Sequence, residues 1–147
     1  MSDYTGPGVY ILVSVATGTI INLSGANPAN KTPVIGFTND SAPNAQWQIA
    51  DAGNGQYLII NVATGTYLTG SGGANGATTG NLISPTDKTV RYTIVPAGNG
   101  AYIFYNVAFP ASVLNLSGAS AALGTPVLLW PESAGAKNEQ WYIKYPA

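Results

Sequence analysis

The sequence predicts an all-β protein in which about twelve short strands form a closed barrel capped by hairpins, with pseudo-threefold symmetry. Three observations predict this class. One phrase recurs three times at intervals of about 45 residues, strand-forming residues are concentrated in short runs between turn residues, and no stretch keeps a helical apolar period.

The repeat is visible when the chain is aligned with itself. "YILVSVATGT" from Tyr10 recurs as "YLIINVATGT" from Tyr57, and "YIFYNVA" begins at Tyr102. "IINLSGA" and "NAQWQI" of the first copy return as "VLNLSGA" and "NEQWYI" in the third, whereas the middle copy has drifted. We predict one domain, residues 1–147, with repeats at about 8–55, 56–100 and 101–147.

Each repeat contains about four strand candidates. In the first repeat they are "VYILVSV", "TIINL", "PVIGF" and "QWQIA" in chain order. They are rich in Val, Ile, Tyr and Trp, and Gly, Pro, Asn and Asp separate them. "ATG" and "GNG" are turn signals, because Gly and Asn tolerate positive φ.

Three copies of four strands favour a closed barrel capped by hairpins. A propeller blade has this length and strand count, but propellers close with four or more blades. Closure also removes exposed strand edges, and this chain has few charged residues to protect them.

Composition excludes several classes of function. Only 7% of residues are charged and the net charge is -1, so we expect no nucleic-acid partner. No apolar run is long enough for membrane insertion. The chain has no His and no Cys, which excludes Ser-His and Cys-His nucleophiles and His-ligated zinc. We therefore expect no catalysis, no metal and no cofactor.

The sequence predicts a cytoplasmic protein. "MSDYTGPG" lacks a basic segment followed by an apolar run, so we expect no signal peptide. The lack of Cys is compatible with this compartment.

The "QW" strand that ends a repeat of about 45 residues resembles the ricin-B-type β-trefoil lectins. The resemblance covers nearly the whole chain, and size and lack of Cys are most similar to the fungal (mushroom) branch. It implies a β-trefoil fold and binding of galactose-type or N-acetylgalactosamine-type glycans. In that family the tryptophan of the motif is scaffold, so we expect Trp47, Trp141 and the substitute Tyr92 to be buried at equivalent positions.

A sugar site needs an aromatic platform for the apolar face of a pyranose and a few fixed polar groups for its hydroxyls. Phe37 follows "TPVIG" and Trp130 follows "TPVLL", each before a polar loop. They are either ordinary packing aromatics or platforms, and the family resemblance favours platforms, more so for Trp130.

Polar candidates accompany both aromatics. The resemblance implies that an Asn just before the motif donates to a sugar hydroxyl; a turn-closing role is the alternative. Asn and Ser two residues apart point to the same side of a strand. Many family members have Asp where this chain has Asn, and a neutral acceptor is weaker. Asp40 and Glu132 either supply a carboxylate or remain solvated loop acids. The candidate carbohydrate-binding residues are Asn22, Ser24, Phe37, Asp40 and Asn44 in the first repeat, and Asn115, Ser117, Trp130, Glu132 and Asn138 in the third.

The middle repeat is predicted to be silent. It has Thr69 and Thr89 at the two Asn positions, a loop "GSGGANGATTG" and no evident platform.

Three functions remain open at this stage. The first is a lectin for glycans or glycoconjugates, for which a homodimer would present four sites. The second is a protein-binding β-trefoil such as a protease inhibitor, which would use loops. The third is a lectin-like accessory subunit of an enzyme. The paired "NLSG", aromatic and "NxQW" elements in two repeats favour the first.

Overall fold

The computed structural model describes residues 1–72 and 76–147. Within this part of the chain there are thirteen β-strands, five short 3₁₀-helical turns and no α-helix, which confirms the predicted all-β class. None of its helices is long and apolar enough to cross a membrane. The strands are β1 (Gly8–Ser14), β2 (Ile20–Leu23), β3 (Thr32–Phe37), β4 (Trp47–Gly53), β5 (Gln56–Asn61), β6 (Tyr67–Thr69), β7 (Gly76–Ala77), β8 (Thr79–Asn81), β9 (Arg91–Pro96), β10 (Tyr102–Asn106), β11 (Ser112–Leu116), β12 (Thr125–Pro131) and β13 (Trp141–Lys144).

Six of the strands form a closed barrel. They pair antiparallel in the order β1, β4, β5, β9, β10, β13 and back to β1. Every barrel strand therefore has a partner on both sides, as the repeat pattern predicts. Closure protects a chain in which few charged side chains could discourage edge-to-edge association.

Three hairpins cap this barrel: β2–β3, β6–β8 and β11–β12. They join one another because β3 pairs with both β8 and β12. The result is a β-trefoil with three lobes, which we call lobe one (β1–β4), lobe two (β5–β9) and lobe three (β10–β13).

A fully buried aromatic residue lies at the first or second position of the last barrel strand of each lobe. Trp47, Tyr92 and Trp141 are each at most 1% exposed, which confirms their predicted equivalence. The two indole N–H groups donate to the carbonyls of Ile21 and Leu114, at 2.9 Å and 3.1 Å. Each bond ties a barrel strand to the hairpin of its own lobe.

The "VATG" phrase of lobes one and two, with "VAFP" in its place in lobe three, is a turn that closes the first hairpin of each lobe. Asn61 Oδ1 and Asn106 Oδ1 accept from the backbone N–H two residues further on, at 3.1 Å and 3.0 Å. Ser14 Oγ makes the same bond in lobe one at 3.2 Å. Asn and Ser stabilise turns in this way, and the phrase therefore serves folding.

The hairpins meet through pairs of one leucine and one glycine. A β-carbon built on Gly80 would lie 2.7 Å from Leu23 Cδ1, and one on Gly36 would lie 2.9 Å from Leu116 Cδ1. The third pair is reversed: Gly70 directly follows the first strand of the lobe-two hairpin and Leu129 lies in the second strand of the lobe-three hairpin, with a separation of 2.6 Å. Each junction between lobes thus has room for one large side chain.

The segment 70–80 corrects a prediction. The sequence predicts a Gly-, Ala- and Thr-rich loop, but the described residues include two short strands, β7 and β8. β8 pairs with both β3 and β6, and β7 pairs with β12. Tertiary pairing and the space that Gly80 leaves for Leu23 outweigh the weak strand propensity of Gly. Residues 73–75 of the predicted loop lie outside the described residues.

Candidate functional site

The outer face of the lobe-three hairpin carries the predicted residues of that repeat. In its register Asn115 lies opposite Leu128, and Val113 lies opposite Trp130. Side chains alternate along a strand, so these residues share one face. The intervening Leu114 and Leu129 belong to the buried core. The same alternation that fills the core therefore presents an amide and an indole together.

A cavity of about 330 Å³ opens on this face. Its size is that of a small-molecule pocket. Trp130 is 42% exposed, in contrast to the two buried tryptophans. The structure thus brings four of the predicted residues together and adds a glycine and a leucine that the sequence analysis did not single out. The lining residues are Asn115, Ser117, Gly118, Leu128, Trp130 and Asn138.

Asn138 is held by two hydrogen bonds from its amide nitrogen. Nδ2 donates to Leu116 O at 3.1 Å and to Asn115 Oδ1 at 3.3 Å. Because both N–H groups serve protein acceptors, Asn138 presents its Oδ1 as the atom available to a ligand. The resemblance implied a donor here, whereas this geometry presents an acceptor.

Asn115 is itself held from behind by Glu139. Its Nδ2 donates to Glu139 Oε2 at 3.0 Å, and Glu139 Oε1 accepts from the backbone N–H of Ser133 at 2.8 Å. Glu139 is only 2% exposed. Sequence reasoning missed this carboxylate. The available signal was the contrast between "NAQW" and "NEQW", in which an acid replaces a small apolar residue beside the buried Trp.

A tight 3₁₀ turn, Ser117–Ala119, forms one wall of the cavity. Gly118 has φ +59° within this turn, a left-handed conformation that glycine adopts readily. The turn keeps Ser117 on the same side as Asn115, as the "NLSG" motif predicts.

Lobe one repeats most of this arrangement. Asn44 Nδ2 donates to Leu23 O at 3.0 Å and to Asn22 Oδ1 at 3.3 Å. Phe37 lies opposite Ile20 and is half-buried, and Ser24 begins the matching 3₁₀ turn. The position of Glu139 is occupied by Ala45, which is fully buried. Lobe one therefore has the amides and an aromatic but no carboxylate behind them.

Two overlapping stretches of the chain, residues 2–84 and 43–130, match a family model described as "Ricin-type beta-trefoil lectin domain-like". The chain belongs to this family. The second match begins about one repeat after the first, which agrees with the internal repeat of the lectin domain. No curated protein sequence matches this ricin-type lectin domain.

Solved structures agree with the family. The lectin domain is similar to the designed threefold-symmetric protein ThreeFoil, with a TM-score of 0.87, 23% identity, and coverage of 92% of this chain and 96% of that one. It is similar to the Rhizoctonia solani agglutinin, with a TM-score of 0.85, 27% identity and coverage of 97% and 98%. The ricin B-like lectin of Macrolepiota procera, solved in complex with lactose, has a TM-score of 0.81, 26% identity and coverage of 99% and 100%.

Neither of the two loop acids is among the residues that line the lobe-three cavity of the lectin domain. Asp40 is exposed, and its Oδ1 accepts from Ala42 N at 3.1 Å in a local turn. Glu132 is exposed and is absent from the cavity lining. Burial raises the pKa of Tyr105, and the nearby carboxylates of Glu132 and Glu139 raise it further.

Lobe two of the lectin domain has no aromatic at the platform position. The residue opposite Tyr67, where lobes one and three have Phe37 and Trp130, is Asn81. Its Oδ1 accepts from Lys31 N at 2.9 Å, and its Nδ2 donates to Thr79 Oγ1 at 2.8 Å. Thr69 Oγ1 donates to Tyr67 O at 2.8 Å. The first bond ties β8 to the segment before β3, and the other two are local bonds within β8 and β6, so these polar groups are engaged by the protein itself.

Side chains that could bind a metal ion are not clustered in the described part of the lectin domain. Across residues 1–72 and 76–147, no three His, Cys, Asp or Glu side chains are grouped so that they could hold a metal ion. The groups that line the lobe-three cavity are amides, a hydroxyl, a glycine, a leucine and an indole. Such a set can bind a neutral, hydroxyl-rich ligand that has one apolar face.

Proposed function

We propose that the chain is a non-catalytic lectin that binds galactose-type or N-acetylgalactosamine-type glycans, with its stronger site in lobe three. The observation that carries this proposal is the half-exposed indole of Trp130 beside Asn115 and Asn138 in one cavity. The Macrolepiota procera lectin was solved with lactose, a galactoside, which supports the choice of sugar class.

The chemistry of the cavity suits a pyranose. One face of a galactose ring is made of C–H groups, which pack on an aromatic surface, while its hydroxyls need donors and acceptors. Amides supply both without the desolvation cost of a full charge. By analogy with aromatic pairs, stacking on Trp130 is worth about 1 kcal/mol, or several-fold in affinity.

Lobe one supplies a second, weaker site in this proposal. Asn22 and Asn44 are bonded as Asn115 and Asn138 are, but a phenyl ring offers a smaller face than an indole. Two linked weak sites gain avidity for glycoconjugates that present several sugars, and a homodimer would double their number. Lobe two is silent in this proposal.

The proposal includes neither catalysis nor a metal. Glycoside hydrolysis needs two carboxylates that flank one bond. Near the cavity Glu139 is buried behind Asn115, and Glu132 lies outside the lining. The cytoplasmic location of the protein and its place in the fungal branch of the family remain predictions from the sequence.

The test is a calorimetric titration with lactose. Trp130→Ala should weaken binding several-fold more than Phe37→Ala, and the double variant should lose most of it. Trp130→Phe, which makes the lobe-three platform like that of lobe one, should fall between wild type and Trp130→Ala. EDTA should leave binding unchanged, and incubation with an aryl galactoside should release no free sugar.

The control variants change the corresponding positions of lobe two. Thr69→Ala and Thr89→Ala should bind lactose as wild type does. If the double aromatic variant keeps wild-type affinity while a lobe-two variant abolishes binding, the assignment of working and silent lobes is wrong. If neither lactose nor N-acetylgalactosamine binds the wild-type chain, the lectin proposal itself fails.

A further inference from the structure

Glu139 is a buried carboxylate whose two hydrogen-bond partners are both uncharged. Asn115 Nδ2 donates to one oxygen at 3.0 Å and Ser133 N donates to the other at 2.8 Å. The side chain is 2% exposed. Burying a carboxylate is strongly unfavourable, and two neutral donors offset only part of that penalty. Its presence therefore requires a local reason.

The fold does not require an acid at this position. The equivalent residues are Ala45 in lobe one and Val90 in lobe two, and both are fully buried. Each lies next to the residue at the Asn44, Thr89 or Asn138 position, just before the last barrel strand. Apolar side chains satisfy the packing there, so the acid serves something specific to lobe three.

The carboxylate connects a residue that lines the lobe-three cavity to the loop that follows the platform strand. Asn115 lies on β11 and lines the cavity, whereas Ser133 follows β12, three residues after Trp130. One side chain thus fixes both the amide of the strand and the start of the loop that follows the platform strand.

The same carboxylate adds a second hydrogen bond that holds the Asn115 amide in its orientation. Nδ2 points to Glu139, and Oδ1 lies on the side of Asn138, from which it accepts a hydrogen bond at 3.3 Å. Asn22 in lobe one makes only the second kind of bond, since Ala45 has no acceptor. A hydrogen bond donated to a carboxylate also polarises the amide and makes its oxygen a stronger acceptor.

We propose that Glu139 is a positioning residue of the lobe-three site: it fixes the Asn115 amide and strengthens its oxygen as an acceptor for a sugar hydroxyl. Glu139 acts through Asn115 and does not contact the ligand. This inference rests on the proposed lectin function. It assigns the stronger binding of lobe three to Glu139 as well as to Trp130.

The test uses lactose and separates the two lobes. Lobe-three affinity is measured in the Phe37→Ala background through the fluorescence of Trp130, because Trp47 and Trp141 are buried. Lobe-one affinity is measured by calorimetry in the Trp130→Ala background. Urea midpoints are recorded for every variant, so that loss of stability is distinguished from loss of affinity.

Glu139→Gln should weaken lobe-three binding about tenfold or more, the scale of a charge-assisted hydrogen bond. Glutamine has one acceptor oxygen for two donors, so either Ser133 N or Asn115 Nδ2 loses its partner. Glu139→Asp keeps the charge on a shorter side chain and should recover part of the loss. Asp51→Asn, which removes an exposed charge elsewhere, should change nothing.

A spectroscopic measurement that begins with the wild type supports the test without any ligand. The Asn115 side-chain amide should show one proton shifted downfield by the carboxylate, whereas the amide of Asn22 should not. In Glu139→Ala, which gives lobe three the residue of lobe one, the two amides should become alike. Two alike amides in the wild type would overturn the inference.

The outcomes are distinct. Weaker lobe-three binding in Glu139→Gln with lobe-one affinity unchanged supports the positioning role, even where the urea midpoint falls, because a general loss of stability would affect both lobes. Unchanged lobe-three affinity overturns it while leaving the lectin proposal intact, and so does a parallel loss in both lobes with a lower midpoint. A wild-type chain that binds neither lactose nor N-acetylgalactosamine defeats the lectin proposal and, with it, this inference.

Discussion

The Tyr92 hydroxyl donates a hydrogen bond to Leu68 O at 3.2 Å. This carbonyl is the lobe-two equivalent of the two carbonyls that accept hydrogen bonds from the indole N–H groups of Trp47 and Trp141. One acceptor position is therefore served by two kinds of donor. Lobe two has lost the tryptophan but keeps the bond between its last barrel strand and its hairpin.

Removing this hydroxyl should destabilise the protein. Tyr92→Phe leaves the ring in place but leaves Leu68 O without its side-chain donor in a fully buried setting. We expect a loss of about 1–3 kcal/mol in the free energy of unfolding, measured by urea denaturation. Tyr145→Phe is the matched control, since its side chain is 56% exposed, and should have little effect. Equal effects of the two changes would contradict the assigned role of the bond.

Tyr92 should also make the protein sensitive to alkali. Burial raises the pKa of its hydroxyl above the usual value of about 10. The Tyr92 hydroxyl ionises at a lower pH in the unfolded chain than in the folded one. The stability that this difference contributes is therefore fully present below about pH 10 and is lost as the pH rises further. In urea titrations above pH 10, Tyr92→Phe should therefore lose stability less steeply than wild type. A wild-type slope in the variant would show that Tyr92 does not contribute.

Asp87 should contribute to sensitivity at the acid end. Its Oδ1 accepts from Thr89 Oγ1 at 2.6 Å and from Thr89 N at 2.9 Å, and these bonds lower the pKa of the carboxyl. Their stabilisation is present above the unfolded pKa of about 4 and is lost as the pH falls through the lower folded pKa. Asp87→Asn should match wild type near pH 7, because Asn also caps well, and should show a flatter decline in acid. The measurement is the urea midpoint of each protein between about pH 5 and pH 2. Parallel curves of midpoint against pH for wild type and Asp87→Asn would refute the role of Asp87.

Gly70 should not tolerate a side chain. An added β-carbon would lie 2.6 Å from both Leu129 Cδ1 and Asn106 Nδ2. We expect Gly70→Ala to cost about 1–3 kcal/mol through overpacking. Gly36→Ala should cost less, because its nearest neighbour, at 2.9 Å, is the end of the Leu116 side chain.

A double-mutant cycle identifies the cause of the Gly70 effect. With Leu129→Ala already present, Gly70→Ala should cost less than in the wild-type background, because one of the two obstructing groups is gone. Additive effects in thermal or urea unfolding would indicate that the two residues do not compete for the same space.

The sequence predicted the fold because its signals are local and repeated. The spacing of Tyr10, Tyr57 and Tyr102 marks the lobes, and the short runs rich in Val, Ile and Tyr correspond to strands. The buried position of Trp47, Tyr92 and Trp141 follows from the same alignment. The strands β7 and β8 were missed because their pairing partners, β12 for β7 and β3 and β6 for β8, and not their own composition, make them strands.

The sequence predicted only those site residues that have a counterpart in another repeat. Asn115, Ser117, Trp130 and Asn138 recur in pattern and meet in the cavity. Glu139 has no counterpart in lobe one, so the repeat gave no reason to select it. The direction of the Asn138 amide depends on Leu116 O and Asn115 Oδ1, two acceptors that only the folded chain brings together.

The leucine–glycine junctions make the three lobes unequal as templates for duplication. Lobe one carries a leucine at position 23 and a glycine at position 36, so a chain of three identical copies of lobe one would place one leucine against one glycine at every junction. Three copies of lobe three would place leucine against leucine, and three copies of lobe two would place glycine against glycine. A perfectly symmetric descendant of this protein can therefore be built from lobe one, whereas copies of lobe three would collide and copies of lobe two would leave voids.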